Sequence, residues 1–423
     1  MIDKELQTKV EAQIDKMQPE IIDFLLKMLS FRSINFQQDG KEQEAQQWFS
    51  GQLKSLGFST EMFDVDPEFL ADYDYFVKPQ GRNYKNRPNV AGRLKGAGNG
   101  KSLVLNGHMD VVPLGNEANW HFNPWGEVSN GKIYGRGSTD MKSGLVGMYM
   151  AIKALQALEI KLKGDLVFQS VIDEESSGNG TLMCIARGYT GDAGIVGEGT
   201  GLEIQTAHRG VQFLRVTTSG ISGHAARRQN LVSAIDKMVH IYNYLMECER
   251  KERLVKKHDL LVSPTISVGM FHGGDAPHIV ADKCEINCDV KYLPSEKAEA
   301  VRSIIEKYID DAVKKDPWLK SNPPRVEWLL DADPSEISQS HPMVQCLEDS
   351  LQKVLGEKAK FSGLQGCADM RHLIKRGNTP SVLFGPGDLN VAHQADEFVE
   401  INKLITATKI YAEFILNWCG FQL

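Results

Sequence analysis

Short apolar runs alternate with an amphipathic stretch over the first half of the chain. Strands are predicted at the apolar runs NVAGRL (89–94), SLVLNGHMDVV (102–112), DLVFQSVID (165–173) and DAGIVGE (192–198). The segment GLVGMYMAIKALQAL (144–158) repeats its apolar residues at helical spacing. This alternation is typical of an α/β layer, in which functional groups lie at the carboxyl ends of the strands.

From about His208 the pattern changes to the order β-α-β-β-α-β. The predicted elements are GVQFLRVTTSG (210–220), NLVSAIDKMVHIYNYLMECERK (230–251), TISVGMFHGG (265–274), DKCEINCDVKYLP (282–294), SEKAEAVRSIIEKYIDDAVKKD (295–316) and PRVEWLLD (324–331). That order indicates a ferredoxin-like α+β sandwich. We therefore predict an α/β/α domain with a mostly parallel central sheet, formed by residues 1–207 and 333–423, with residues 208–332 inserted as a separate domain.

Composition and charge narrow the class of protein. The chain is 42% hydrophobic and 24% charged, as in soluble globular proteins, and its formal charge of −7 gives no reason to expect nucleic acid. No apolar run approaches the roughly 18 residues of a membrane span, and the charged first 30 residues do not resemble a signal peptide. The 7 cysteines show no Cys-x-x-Cys spacing, so a disulfide framework or a Cys-ligated zinc is not expected. We expect a cytoplasmic protein that binds neither membranes nor nucleic acid.

Ligand-type residues recur at the predicted strand ends. His108 and Asp110 lie two apart on one strand, where the carboxylate can orient the imidazole, although a buried packing pair would look the same. Glu174 and Glu175 end an apolar strand; if the segment is extended, their side chains point in opposite directions. A solvated turn is the alternative there.

Three further residues have the same character. Asp140, in GRGSTDMKSG, precedes a helix and either binds a cation or caps that helix. Glu198 follows a short strand, and His393 lies in a loop before the last helix. Two histidines and three carboxylates in one α/β layer suit two divalent cations, zinc or alternatively cobalt or manganese, bridged by one carboxylate.

The ordered segments GHMDVVP, GRGSTDMKSG, IDEESSG, GEGTG and AHQADEFV resemble the co-catalytic di-zinc aminoacylase and carboxypeptidase family, which includes acetylornithine deacetylase, succinyl-diaminopimelate desuccinylase and carboxypeptidase G. The match extends from about Met17 to the C-terminus. It implies that the inserted domain mediates homodimerisation.

The resemblance also implies a role for each site residue. Asp140 would bridge two metal ions, with His108 and Glu198 completing one site and Glu175 and His393 the other. Glu174 would be the general base for a metal-bridging hydroxide that attacks an amide carbonyl, and Asp110 would orient His108.

Substrate-contacting positions are also implied. His224 matches the inserted-domain histidine that stabilises the oxyanion in the partner subunit's site, with a surface histidine as the alternative. Arg371 resembles the arginine that binds a substrate carboxylate, with a salt bridge to Asp369 as the alternative. His278 and Lys291 stand where relatives often have asparagine and arginine, and both are predicted to contact substrate.

These observations predict a deacylase of small N-acyl-L-amino acids. A dipeptidase or carboxypeptidase would share every ligand, and a non-catalytic metal-binding protein would keep only the scaffold. The acyl group is not determined. The loop at 64–87 either covers the cleft or is a surface excursion.

Overall fold

The structure, a computed structural model, describes residues 2–35, 40–73, 76–78 and 81–423. It divides into two compact units. The first contains Met1–Thr206, Ile337–Ser362 and Ala368–Leu423, and the second contains Ala207–Glu336 and Gly363–Cys367. The segment 363–367 thus lies in the second unit, whereas the sequence assigns it to the first.

The elements are numbered in chain order. Up to the first boundary they are α1 (Lys4–Lys16), α2 (Gln18–Ser30), α3 (Gln43–Ser55), β1 (Ser59–Asp64), α4 (Pro67–Leu70), β2 (Pro88–Leu94), β3 (Leu103–His108), β4 (Glu127–Ser129), β5 (Lys132–Tyr134), α5 (Ser143–Ala157), β6 (Lys161–Leu162), β7 (Leu166–Val171), α6 (Asn179–Ala186), β8 (Ala193–Val196) and β9 (Ile204–His208). Next come β10 (Gly210–Ser219), β11 (Gly223–His224), α7 (Ala234–Cys248), β12 (Ile266–Gly273), β13 (Ile279–Val280), β14 (Lys283–Tyr292), α8 (Ala298–Lys315), α9 (Pro317–Ser321), β15 (Arg325–Ala332) and β16 (Ser335–Glu336). The last are α10 (Pro342–Leu355), β17 (Phe361–Leu364), α11 (Met370–Lys375), β18 (Ser381–Leu383), β19 (Phe398–Glu400), α12 (Ile401–Cys419) and β20 (Phe421–Gln422).

A mixed sheet organises the first unit. Its strands run in the order β1-β2-β7-β3-β8-β18-β9. The neighbours β7, β3, β8 and β18 pair in parallel, whereas β1 with β2, β2 with β7, and β18 with β9 are antiparallel. The α/β class is confirmed, and parallel pairing is confined to the centre of the sheet. Every residue of β3, β7 and β8 is buried, as expected for parallel strands covered on both faces.

Helix α5 lies in the core of this unit. It is apolar around most of its circumference and buried along most of its length, as a helix covered on all sides must be. It packs against α12 and β3, while α6 and α11 pack together and contact β7 and β8 respectively. Because α5 begins beside the ends of the parallel strands, it fixes the segment that carries Asp140.

The second unit has the predicted ferredoxin-like sandwich. Strands β10, β12, β14 and β15 form an antiparallel sheet in the order β12-β14-β10-β15. Helices α7 and α8 pack together, and buried residues alternate along β14 as expected for a sheet covered on one face. Cys284 and Cys288 lie four residues apart on β14, and both are buried on its covered face.

The loop at 64–87 is partly described. Residues 74–75 and 79–80 lie outside the described residues. Tyr84 donates a hydrogen bond from its hydroxyl to Asp173 Oδ2 at 2.7 Å, and Arg82 Nη1 donates to Asp173 Oδ1 at 3.1 Å. This part of the loop therefore supports the chain just before Glu174. Across the described ranges, no helix combines the length and apolarity needed to cross a membrane.

Candidate active site

Four ligand-type residues lie at or shortly after the ends of adjacent parallel strands. His108 is the last residue of β3, Glu174 and Glu175 come shortly after β7, and Glu198 comes two residues after β8. Since β7, β3 and β8 are neighbours with the same direction, their carboxyl ends meet at one edge of the sheet. The strand order alone therefore brings these side chains together.

Asp140 lies between two histidines. Its Oδ1 is 3.1 Å from His108 Nε2, and its Oδ2 is 3.3 Å from His393 Nε2. Helix α5 has Lys142 as its N-cap residue and no side-chain cap, so Asp140 does not play the capping role that the sequence left open. With one oxygen towards each histidine, this carboxylate has the position expected of a ligand that bridges two cations.

The remaining predicted ligands complete two groups around this carboxylate. His393 Nε2 is 3.1 Å from Glu175, and His108 Nε2 is 4.0 Å from Glu198 Oε1. Glu174 Oε2 is also 4.0 Å from His108 Nε2, so the predicted base lies as close to His108 as Glu198 does. The structure therefore brings all five predicted ligands and Glu174 into one site. We refer to His108, Asp140, Glu175, Glu198 and His393 as the ligand cluster.

Electrostatics show that the ligand cluster favours added positive charge. Burial and the nearby Asp140 raise the pKa of Glu198 to about 8, and burial raises the pKa of Glu174 well above its ordinary value. Hydrogen bonds to Asp140 and Glu175 raise the pKa of His393 to about 10. Without cations, this cluster therefore holds protons at pH 7 that the isolated side chains would have lost.

This donor set fits divalent metal ions. Grouped carboxylates at a buried site are costly unless paired or bound to a cation. Their oxygens stand within hydrogen-bond distance of imidazole nitrogens, and imidazole with carboxylate is a ligand combination that zinc accepts. The ligand atoms of His108, Glu174 and Glu198 lie within 4.8 Å of one another, as do those of His108, Asp140 and Glu175.

Asp110 contacts His108 differently from the expectation. His108 Nδ1 lies 2.8 Å from the main-chain oxygen of Asp110 and 3.7 Å from its carboxylate. The carboxylate instead accepts hydrogen bonds from the main-chain N–H groups of Glu174, at 3.4 Å, and Glu175, at 3.3 Å, and from the Asn35 side chain. The chain leaves β3 at His108, which brings the carbonyl of Asp110 to the imidazole and its side chain to the next loop.

Glu174 and Glu175 lie in a turn, the alternative that the sequence left open beside an extended segment. The main-chain N–H groups of Ser177 and Gly178 donate to Asp173 O at 2.9 and 2.8 Å. We call residues 174–177 the acidic turn. The two glutamates still face different groups, because consecutive residues of a turn also diverge.

Glu397 is a residue of the site that sequence reasoning missed. It is fully buried, and its Oε1 accepts hydrogen bonds from the main-chain N–H groups of Gly137, Thr139 and Asp140 at 2.9, 3.0 and 3.2 Å. Its Oε2 pairs with Arg136 Nη1 at 2.5 Å. Burial raises the pKa of Glu397 to about 7 against the opposing effect of Arg136. The sequence offered one signal for this pair: Arg136 lies four residues before Asp140, and Glu397, of opposite charge, lies four residues after His393.

The predicted substrate-contacting residues fall in both units. Arg371 is buried in the first unit, and its guanidinium is 4.0 Å from Asp369 Oδ1. In the second unit, the exposed His224 lies with its ring centre 6.4 Å from that of His278, and Lys291 pairs with Asp289 at 3.0 Å.

Gly144 marks a close approach between α5 and the chain after β8. A Cβ atom at this position would overlap the main-chain oxygen of Gly197, the residue before Glu198. We expect Gly144→Ala to lower the free energy of unfolding by about 1–3 kcal/mol, as overpacking does. Chemical denaturation measures this loss.

The matched control is Gly51→Ala in α3, where an added Cβ meets no atom within 4 Å. We expect this change to raise the free energy of unfolding by about 0.5–1 kcal/mol, because alanine favours the helix. Equal effects of the two substitutions would contradict the close approach at Gly144.

Several known proteins are similar to this chain over most of its length. The sequence profile of Peptidase family M20/M25/M40 matches residues 104–417. The N-formyl-4-amino-5-aminomethyl-2-methylpyrimidine deformylase of Halalkalibacterium halodurans is 33% identical over 407 residues, which are 90% of each chain. The acetylornithine deacetylase of Vibrio cholerae is 26% identical over 414 residues, 95% of this chain and 98% of the relative. A dipeptidase structure from Saccharomyces cerevisiae has a TM-score of 0.79 at 17% identity, covers 98% of both chains and shows the shared fold.

The fold and the site define a metal-dependent hydrolase of amide bonds. The chain belongs to Peptidase family M20/M25/M40, and the resemblance stated from the sequence motifs is confirmed.

Proposed function

We propose that this enzyme is a deacylase that hydrolyses the amide bond of a small N-acylated amine, with N-acyl-L-amino acids as the first class to test. The observation that carries the proposal is Asp140, whose two oxygens face His108 and His393 beside the partly buried Glu174. That arrangement suits hydrolysis at a pair of cations.

In this proposal the ligand cluster holds two divalent metal ions, with zinc first and cobalt or manganese as alternatives. Asp140 is shared, His108 and Glu198 belong to one site, and Glu175 and His393 belong to the other. Bound ions of this kind lower the pKa of water and polarise a carbonyl oxygen.

Glu174 is the proposed general base. It would accept a proton from the attacking water and return that proton to the departing amine. Asp110 would keep Glu174 in position, because the Asp110 carboxylate accepts hydrogen bonds from the main-chain N–H groups of Glu174 and Glu175. In the second unit, His224 is proposed to stabilise the oxyanion in a partner's site.

Sequence similarity supports removal of an acyl group. The relatives at 33% and 26% identity are named as a deformylase and a deacetylase. The deformylase is named for a pyrimidine amine instead of an amino acid, so the amine half of the substrate is the open part of the proposal.

Homodimerisation through the second unit is also proposed. Strand β12 lies at the edge of its sheet, and Met270 and Phe271 on it are 51% and 42% exposed. An exposed edge strand leaves main-chain hydrogen-bonding groups and apolar side chains in water, and pairing with a second copy would cover both. All seven cysteines are free thiols, which supports the proposal of a cytoplasmic location.

The proposed activity is tested by amine release after metal is removed and zinc, cobalt or manganese is added back. The panel contains N-formyl, N-acetyl and N-succinyl amino acids, formamides of aminomethyl heteroaromatic compounds, and dipeptides. We expect metal-dependent release from N-acyl compounds. Cleavage of dipeptides alone would favour a dipeptidase, and no cleavage with two metal ions bound would contradict the proposed substrates.

A further inference from the structure

The acidic turn is held at both of its ends. On the side of β7, Asp173 accepts hydrogen bonds from Tyr84 at 2.7 Å and from Arg82 at 3.1 Å, and also from Ser177. On the far side, Ser177 presents its main-chain carbonyl to Arg371. The orientation of Glu174 and Glu175 therefore depends on the hydrogen bonds made by Asp173 at one end and by Ser177 at the other.

Arg371 directs its guanidinium at main-chain oxygens. Its Nη2 donates to Ser177 O at 2.8 Å, and its Nη1 donates to Ala368 O at 3.0 Å. Its side chain is only 6% exposed. The two terminal nitrogens of the Arg371 guanidinium thus join the acidic turn to the chain that enters α11.

The chain at 369–372 fits closely against the end of the acidic turn. Gly178 has φ +74°, and a Cβ atom there would overlap Asp369, Arg371 and His372. Asp369 Oδ2 accepts a hydrogen bond from Thr181 Oγ1, in the first turn of α6, at 2.6 Å. Two side chains of one segment therefore hold both the turn and the helix that follows it.

We propose that Arg371 is a positioning residue that holds Glu174 and Glu175, and that it does not bind a substrate carboxylate. The inference rests on the proposed deacylase function. Its consequence is that Arg371 does not make the site select substrates with a carboxylate next to the scissile amide. Arg371 would then not favour N-acyl amino acids over acylated amines that lack a carboxylate.

The test compares two substrates that differ only in the carboxylate, N-formyl-L-phenylalanine and N-formylphenethylamine, with the zinc-loaded enzyme. We expect Arg371→Lys to lower kcat about tenfold, and Arg371→Gln up to about a hundredfold, with KM little changed. The loss should be equal for both substrates within about twofold. A loss confined to N-formyl-L-phenylalanine and expressed in KM would overturn the proposal.

Hydrogen exchange gives a second readout that needs no substrate. In zinc-loaded Arg371→Gln, the amides of Ser177 and Gly178 should exchange faster than in the wild type, because the turn has lost its anchor. Lys375→Gln is the matched control, since it removes an exposed positive charge from the same helix. Unchanged exchange at both amides would overturn the proposal. If the wild type cleaves neither compound, the substrate panel decides the proposed function, and this measurement still decides the role of Arg371.

Discussion

Replacing Glu174 by glutamine should lower kcat by a factor of about 10² to 10⁴ while both metal ions remain bound. Glutamine keeps the size of the side chain and loses the ability to accept a proton. The carboxylate is 4.0 Å from His108 Nε2 with its side chain 13% exposed, and burial raises the pKa of this carboxyl well above its ordinary value. Steady-state kinetics on the best N-acyl substrate and metal analysis of the same sample measure the two quantities.

Glu175→Gln is the control, because it changes the neighbouring carboxylate in the same turn. Glu175 lies 3.1 Å from His393 Nε2 and is a proposed ligand. We expect this variant to lose metal content first and activity as a consequence. If Glu174→Gln lost metal as readily as Glu175→Gln, Glu174 would be a ligand instead of the base. The structure offers this alternative because the ligand atoms of Glu174, His108 and Glu198 lie within 4.8 Å of one another.

The long periodic elements could be predicted from the sequence. Helix α5 was expected at 144–158 and occupies Ser143–Ala157, and the order β-α-β-β-α-β of the second unit was read from alternation and helical spacing. The small sheet of β4, β5 and β19 was not predicted. Its strands have three residues each, which is too short for a period, and β19 pairs with β5 from a distant part of the chain.

The ligand cluster could be predicted because parallel strands place their ends together. His108, Glu175 and Glu198 lie at or shortly after the end of a central strand, and sequence motifs supplied Asp140 and His393. The support around the cluster could not be predicted, since it depends on tertiary contacts. The sequence motifs gave no sign of the contact of Asp110 with the acidic turn or of Arg371 with Ser177.

Replacing Glu397 by glutamine should weaken metal binding by about 10-fold to 100-fold, the range found when groups that orient metal ligands are lost. Glu397 accepts hydrogen bonds from three main-chain N–H groups of the segment that ends at Asp140. In the sequence, Glu397 follows His393 by four residues. One carboxylate therefore fixes the two loops that carry Asp140 and His393. Glutamine has one acceptor oxygen for the four donors, and its amide would face either N–H groups or the Arg136 guanidinium.

The measurement is a titration of metal-free protein with cobalt, followed by absorption, beside the thermal midpoint of each variant. Glu413→Gln is the matched control: Glu413 is 3% exposed and pairs with Lys353 at 3.0 Å, so its loss also breaks a partly buried ion pair. We expect both variants to lose stability and only Glu397→Gln to lose cobalt affinity. Equal cobalt affinity in the two variants would mean that Asp140 and His393 keep their positions without Glu397, and that Arg136 with Glu397 contributes to folding alone.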